Sequence, residues 1–160
     1  MTDFHIRPAT EADAPLILAL IRELADYEKL LHEVTATEET LRESLFGARR
    51  AAEVLLGYED GAPVGYAIFF HNFSTFLGRP GLYLEDLYVR PQARGRGYGR
   101  AFLARLAQLA VERGCGRMEW SVLDWNTPAI DFYKALGAKS MDEWTVYRMD
   151  ESAIRRLAGE

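Results

Sequence analysis

The chain has 160 residues, 49% of them hydrophobic and 27% charged, and carries a formal net charge of −5. This balance fits one globular domain over residues 1–160 and excludes a disordered or fibrous chain. The acidic excess argues against a nucleic-acid binder and is compatible with a cationic substrate.

Phe4 to Arg7 reads as a first strand, ended by Pro8. Thr10 is a candidate N-cap, with Glu11 and Asp13 in the first turn, where a helix dipole favours negative charge. Leu16, Ile17, Leu20, Ile21, Leu24 and Tyr27 recur at helical spacing and predict a helix from about Glu11 to Leu30. Thr37 caps a second predicted helix that runs to Phe46 and stops at Gly47. Ala52 to Tyr58 and Val64 to Phe70 read as strands. Glu59-Asp60-Gly61 is the turn of an antiparallel hairpin between them. A polar loop from His71 to Gly81 is expected next, followed by an apolar strand from Leu82 to Val89 that is interrupted by Glu85 and Asp86. After a glycine-rich loop, Phe102, Leu103, Leu106, Leu109 and Ala110 mark a helix stopped by Gly114. Met118 to Leu123 is a predicted strand. Asn126 caps a helix to Leu136, closed by Gly137, and Trp144 to Met149 is a last predicted strand. The order predicts an α/β (α+β) fold, with a mainly antiparallel sheet that becomes parallel around the glycine loop.

The loop Arg94-Gly95-Arg96-Gly97-Tyr98-Gly99-Arg100 joins a strand to a helix. Glycines there let the backbone approach a ligand, and the helix start adds free N–H groups and positive dipole. This predicts a phosphate or pyrophosphate site, with Arg94, Arg96 and Arg100 at its rim. The Lys-Ser/Thr of a nucleotide P-loop is missing, and the glycine spacing is not that of a dinucleotide fold. A plain surface turn, or an RNA-binding Arg-Gly patch, remains the bland alternative on these residues alone.

Further segments narrow the choice. Ile6-Arg7-Pro8-Ala9-Thr10 opens the chain, and Glu23-Leu24-Ala25 precedes Tyr27-Glu28. Tyr83-Leu84-Glu85-Asp86 stands before the loop, and Trp125-Asn126, Pro128-Ala129-Ile130 and Phe132-Tyr133 follow it. Together with Arg94, Gly97 and Gly99 this set resembles the GCN5-related N-acetyltransferases (GNAT). Within them it resembles the diamine (spermidine/spermine) acetyltransferases and their thialysine-acetylating relatives, from about Phe4 to Met149. The resemblance implies the GNAT fold, acetyl-CoA as cosubstrate with no metal, and a homodimer. It implies that Leu87, Tyr88 and Val89 pair with the pantetheine arm, and that Arg94, Gly95, Arg96, Gly97, Tyr98, Gly99 and Arg100 bind the pyrophosphate. By the same resemblance Asn126 contacts the coenzyme, Tyr133 donates a proton as well as touching the coenzyme, and Glu85 deprotonates the amine. Tyr27, Glu28, Glu85 and Asp86 would contact the substrate.

The chemistry has a use for these groups. A lysine-like amine titrates near about 10 and is mostly protonated at neutral pH, so a carboxylate must hold the cation and take its proton. A carboxylate in an apolar strand is costly without a task or partner, which singles out Glu85; a solvated strand-end acid is the bland alternative. Asp86 should face the opposite side from Glu85 unless a bulge intervenes. A phenol such as Tyr133 can protonate the departing thiolate, and core packing is its alternative. The Val89 N–H is a candidate donor to the carbonyl oxygen. Trp120, Trp125 and Trp144 could wall a cation pocket or fill a core.

Direct transfer needs no cysteine nucleophile, and Cys115 reads as structural. His5, His32 and His71 share no ligand spacing, so no metal site is expected. A single cysteine, and an N-terminus with no signal-peptide pattern, predict a soluble cytoplasmic protein with no membrane or nucleic-acid partner. In polyamine-acetylating members the segment corresponding to His71–Gly81 carries an acid. Here it carries none, and Arg79 is basic, which favours a shorter amine. The alternatives to a small-amine N-acetyltransferase are a peptide or protein N-acetyltransferase and a non-catalytic acyl-CoA sensor.

Overall fold

The computed structural model describes residues 2–160. They divide into two compact units, one ending at Ser121 and the other spanning Val122–Glu160.

The first unit is built on a five-stranded mixed sheet in the order β1-β2-β3-β4-β5. The strands are β1 (Phe4–Pro8), β2 (Glu53–Glu59), β3 (Ala62–Ser74), β4 (Arg79–Val89) and β5 (Met118–Trp120). The first three pairings are antiparallel and β4 pairs with β5 in parallel. The change falls across the glycine loop and the helix α3 (Tyr98–Glu112), as the sequence predicts.

Helices α1 (Ala14–Tyr27) and α2 (Glu38–Phe46) cover one face. Ile17, Leu20, Leu24 and Leu45 pack there on Val54, Leu56, Tyr66, Ile68 and Tyr88. The opposite face receives α3, whose Phe102 sits so close to β2 and β3 that only glycine fits beneath it. A Cβ on Gly57 would lie 2.7 Å from the Phe102 ring. Each such fully buried large apolar side chain contributes about 1.5–3 kcal/mol.

Local signals fix the ends of α1. A short 3₁₀ turn, Glu11–Asp13, carries the Thr10/Asp13 capping box, and Asp13 also pairs with Arg7 at 3.0 Å. The helix then stops at Tyr27 rather than Leu30, because Lys29 adopts a left-handed conformation at φ 62°. Leu30 N–H bonds Ala25 O at 2.7 Å and Lys29 N–H bonds Asp26 O at 3.0 Å, the paired bonds of a Schellman stop. This stop places Tyr27 and Glu28 at the end of the helix.

Two expectations about the middle of the chain change. The segment from His71 to Gly81 is not a loop: β3 runs on to Ser74 and β4 begins at Arg79. Arg79 donates to the Gly114 and Cys115 carbonyls, which ties the hairpin to the C-terminal end of α3. The β5 strand is three residues, half the predicted length.

The second unit contains α4 (Thr127–Ala135) and α5 (Glu151–Ala158). Asn126 caps α4 as expected, accepting from Ala129 N–H at 3.4 Å. The predicted strand from Trp144 to Met149 does not form. Trp144, Val146 and Tyr147 are 73%, 81% and 93% exposed. An apolar run is extended stably only when another strand satisfies its backbone. The α5 helix is absent from the sequence reading; Asp150 caps it through Ala153 N–H at 2.8 Å.

Candidate active site

The site in the first unit begins with the register of β4. Ile68 pairs with Asp86 while the next residue, Phe69, pairs with Leu84, so Glu85 is an extra, unpaired residue: a β-bulge. Leu84 is therefore buried on the α3 side, whereas Asp86 joins Tyr66 and Tyr88 on the α1 side. The bulge removes the regular alternation that would set Glu85 and Asp86 on opposite faces. Glu85 is exposed and Asp86 half-buried. The burial argument drawn from the sequence thus applies to Asp86 more than to Glu85.

Beyond the bulge the sheet opens. The parallel pairing of β4 with β5 ends at Leu84/Trp120, while β3 still pairs with β4 through Val89. Among the described residues no strand bonds the other edge of 85–89, which carries Leu87, Tyr88 and Val89. Such an edge can bond an extended ligand as a strand would.

The carboxylates gather on the α1 side. Tyr66, fully buried, donates to Asp86 Oδ2 at 3.0 Å. Burial raises the Asp86 carboxyl above its usual range; the Tyr66 hydrogen bond opposes the rise and the Glu85 charge adds to it. Glu28 is half-buried at the end of α1, and burial and then the Asp86 charge raise it too. Two neighbouring carboxylates that both resist ionisation form a site that an ammonium group would relieve. Tyr27 lies beside Glu28, and its ring carries the Arg94 guanidinium at 4.9 Å.

The glycine loop follows directly. After a 3₁₀ turn, Pro91–Ala93, Gly95 and Gly97 take φ of 78° and 82°, and α3 starts at Tyr98. A Cβ at either glycine would meet no heavy atom within 4 Å, so the space in front of the loop is open. The first-turn N–H groups of α3 have no carbonyl of their own helix to bond. This backbone fits a pyrophosphate.

The arginines are not a simple charged rim. Arg94 turns back: its Nε donates to Val89 O at 2.8 Å and its guanidinium stacks on Tyr27 and Tyr88. Arg96 pairs with Glu59 at 2.5 Å. Tyr98 also donates to Glu59 and stacks on Phe4 at 3.9 Å. These two donors, Arg96 first, hold the Glu59 carboxyl below its usual range. Arg100 is exposed in the first turn of α3.

Glu23, Glu59, Tyr66 and Arg90 are site residues that the sequence reading gave no role. Arg90 grips Glu23 with two bonds, of 3.0 and 2.8 Å, and donates to Pro63 O. Tyr66 left one signal, a hydroxyl inside an apolar strand. Glu59 looked like a turn residue, and only the register reveals its partners. Asn126 and Tyr133 belong to the second unit, where Tyr133 is half-buried on α4 with its ring 5.6 Å from Phe132.

The acetyltransferase (GNAT) family matches residues 18–138. The chain belongs to this family. Thialysine N-epsilon-acetyltransferase of Bos taurus is 42% identical, over 97% of each chain. The enzyme of that name in Caenorhabditis elegans is 36% identical over the full length of both. An L-ornithine N5-acetyltransferase of Arabidopsis thaliana is 31% identical over 96% of this chain and 87% of its own. Among solved structures, an integron cassette protein from the mobile metagenome of V. cholerae superposes with a TM-score of 0.82 at 25% identity, covering 98% of both chains. An aminoglycoside acetyltransferase from a soil metagenome shares the fold at TM-score 0.77 and 19% identity. The protein is therefore an acetyltransferase on a mixed α/β GNAT scaffold, and GNAT acetyltransferases use acetyl-CoA.

Proposed function

We propose that this GNAT enzyme transfers acetyl directly from acetyl-CoA to a primary amine of a small cationic substrate, a thialysine-like amino acid or a short diamine. The observation that carries the reading is the neighbouring, half-buried carboxylates of Glu28 and Asp86 beside the open edge of β4. The loop from Arg94 to Arg100 supplies backbone N–H groups for the pyrophosphate of the cosubstrate, and Leu87, Tyr88 and Val89 supply the strand edge for its arm.

The residues then divide the work. Glu28 and Asp86, with Tyr27, hold the ammonium form of the amine. Glu85, directly or through water, accepts its proton, which frees the nitrogen lone pair to attack the thioester carbonyl. The Val89 N–H stabilises negative charge on the carbonyl oxygen. The C–N bond forms, the C–S bond breaks, and Tyr133 gives a proton to the sulfur. Asn126 contacts the coenzyme. The roles of Asn126 and Tyr133 rest on the family resemblance.

Similarity to thialysine and ornithine acetyltransferases, and the lack of any acid between His71 and Gly81, support a short substrate over a long polyamine. We further propose a single acetyltransferase domain that acts as a homodimer in the cytoplasm. The homodimer rests on the family resemblance, and a single cysteine suits a reducing compartment.

The test is CoA release from acetyl-CoA across thialysine, lysine, ornithine, diamines, spermidine and a peptide panel. Release with the short amines is expected. Release with peptides alone, or acetyl-CoA binding without turnover on any amine, overturns the reading.

A further inference from the structure

The amine site has a support that lies entirely behind it. Tyr66 stands in the middle of β3 with no exposed surface, packed among Ile17, Leu20, Leu24 and Leu56. A phenol in such a place is costly unless its hydroxyl is bonded, and the bond it makes is to Asp86 at 3.0 Å. The bulge at Glu85 is what brings Asp86 onto the face that Tyr66 occupies.

Asp86 needs a donor because its other neighbours repel charge. The titratable groups that face it are Glu85 on its own strand, Glu28 from the end of α1 and Tyr66 from β3. The next tyrosine along that face, Tyr88, turns its hydroxyl to Glu23 at 3.3 Å. Arg94 places its guanidinium on the rings of Tyr27 and Tyr88. An ionised carboxylate accepts about four hydrogen bonds, so one phenol leaves room for an ammonium group.

We propose that Tyr66 is a positioning residue for acetyl transfer: its hydrogen bond fixes the Asp86 carboxylate, ionised, so that Asp86 and Glu28 together receive one ammonium group of the substrate. This rests on the amine-acetyltransferase reading and adds to it the donor that organises the site from the core. Tyr66 touches no substrate; it acts through Asp86.

The experiment compares the wild-type chain with Tyr66→Phe, using acetyl-CoA and thialysine. Loss of a hydrogen bond to a charged group should raise KM for the amine about tenfold, with a smaller change in kcat. Phenylalanine cannot favour the ionised form, so the acid limb of kcat/KM should move to higher pH. On an Asp86→Asn background Tyr66→Phe should cost nothing further. An unmoved acid limb, or the same loss on both backgrounds, would overturn the proposal.

A second variant places 3-fluorotyrosine at position 66. Its more acidic phenol is the stronger donor, so the acid limb should move to lower pH; a move to higher pH argues against the proposal. Carboxyl ¹³C titration of Asp86 in the full chain needs no turnover. Its midpoint should rise in Tyr66→Phe, and an unchanged midpoint overturns the role of Tyr66 even in an enzyme that acetylates thialysine. If the wild type releases no CoA with any amine, the acetyl-transfer reading fails while the titration still decides the role of Tyr66.

Discussion

The glycine loop and the acidic corner at the β4 bulge are neighbours in the chain but are built on opposite plans. In the loop two of the three arginines are engaged within the protein, Arg96 on Glu59 and Arg94 on Val89 O and two tyrosine rings, while Arg100 is exposed. At Gly95 and Gly97 the loop presents backbone to open space. In the acidic corner the backbone is held by the sheet, and charge is left unbalanced between Glu28, Glu85 and Asp86. In the proposed function the first region meets phosphate through N–H groups, and the second meets a cation through its uncompensated negative charge. The difference teaches that a substitution should be judged by what a residue presents, not by its charge in the sequence.

The sharpest way to break the contrast is Asp86→Asn. Deleting one charge of a hydrogen-bonded pair should lower kcat/KM for the cationic amine by roughly one and a half to three and a half orders of magnitude, from about 2–5 kcal/mol, with acetyl-CoA affinity retained. The pH profile carries a matching sign. Burial holds Asp86 and Glu28 above the ordinary carboxylate range, so activity should fall with decreasing pH earlier than for a normal carboxylate. Folding disfavours both charged forms, so the stability of the free protein should decrease as pH rises through and above that range. Thermal melts with Asp86→Asn as control measure this.

Gly97→Val is next and attacks the other plan. A β-branched residue at φ 82° costs about 1–2 kcal/mol or more, so melting temperature and acetyl-CoA affinity should both drop while amine selectivity is kept. Glu59→Gln tests the hidden anchor. Freed from Glu59, Arg96 and Tyr98 should hold the loop less well, weakening acetyl-CoA several-fold, which calorimetric titration would detect. The smallest effect is expected at the helix stop: Lys29→Gly relieves a left-handed non-glycine residue and should raise stability by about 0.5–1 kcal/mol in denaturant melts.

The two regions also differ in how far they could be read from sequence. The loop was legible because its signals are local: glycines between an apolar strand and a periodic helix. The caps at Thr37 and Asn126 were legible for the same reason. The acidic corner was legible only as a list of carboxylates. Which of them meets a phenol depends on the pairing of Phe69 with Leu84, a register that no local pattern encodes. Glu59 and Tyr98 lie 39 residues apart, and Tyr66 and Asp86 lie 20 apart, so both contacts belong to the folded sheet. The segment from Trp144 to Met149 misled in the other direction: its composition favours a strand, but strand formation also needs a bonding neighbour.

The bulge at position 85 separates two properties that are usually fused in one amino acid. Because Glu85 is supernumerary in the ladder, removing it by deletion would heal the pairing and leave Leu84 and Asp86 on the faces they already occupy. Replacing it by alanine would instead keep the kink and discard the carboxylate. Chain length and side-chain chemistry can thus be varied independently at a single position, one by a codon deletion and the other by a codon change.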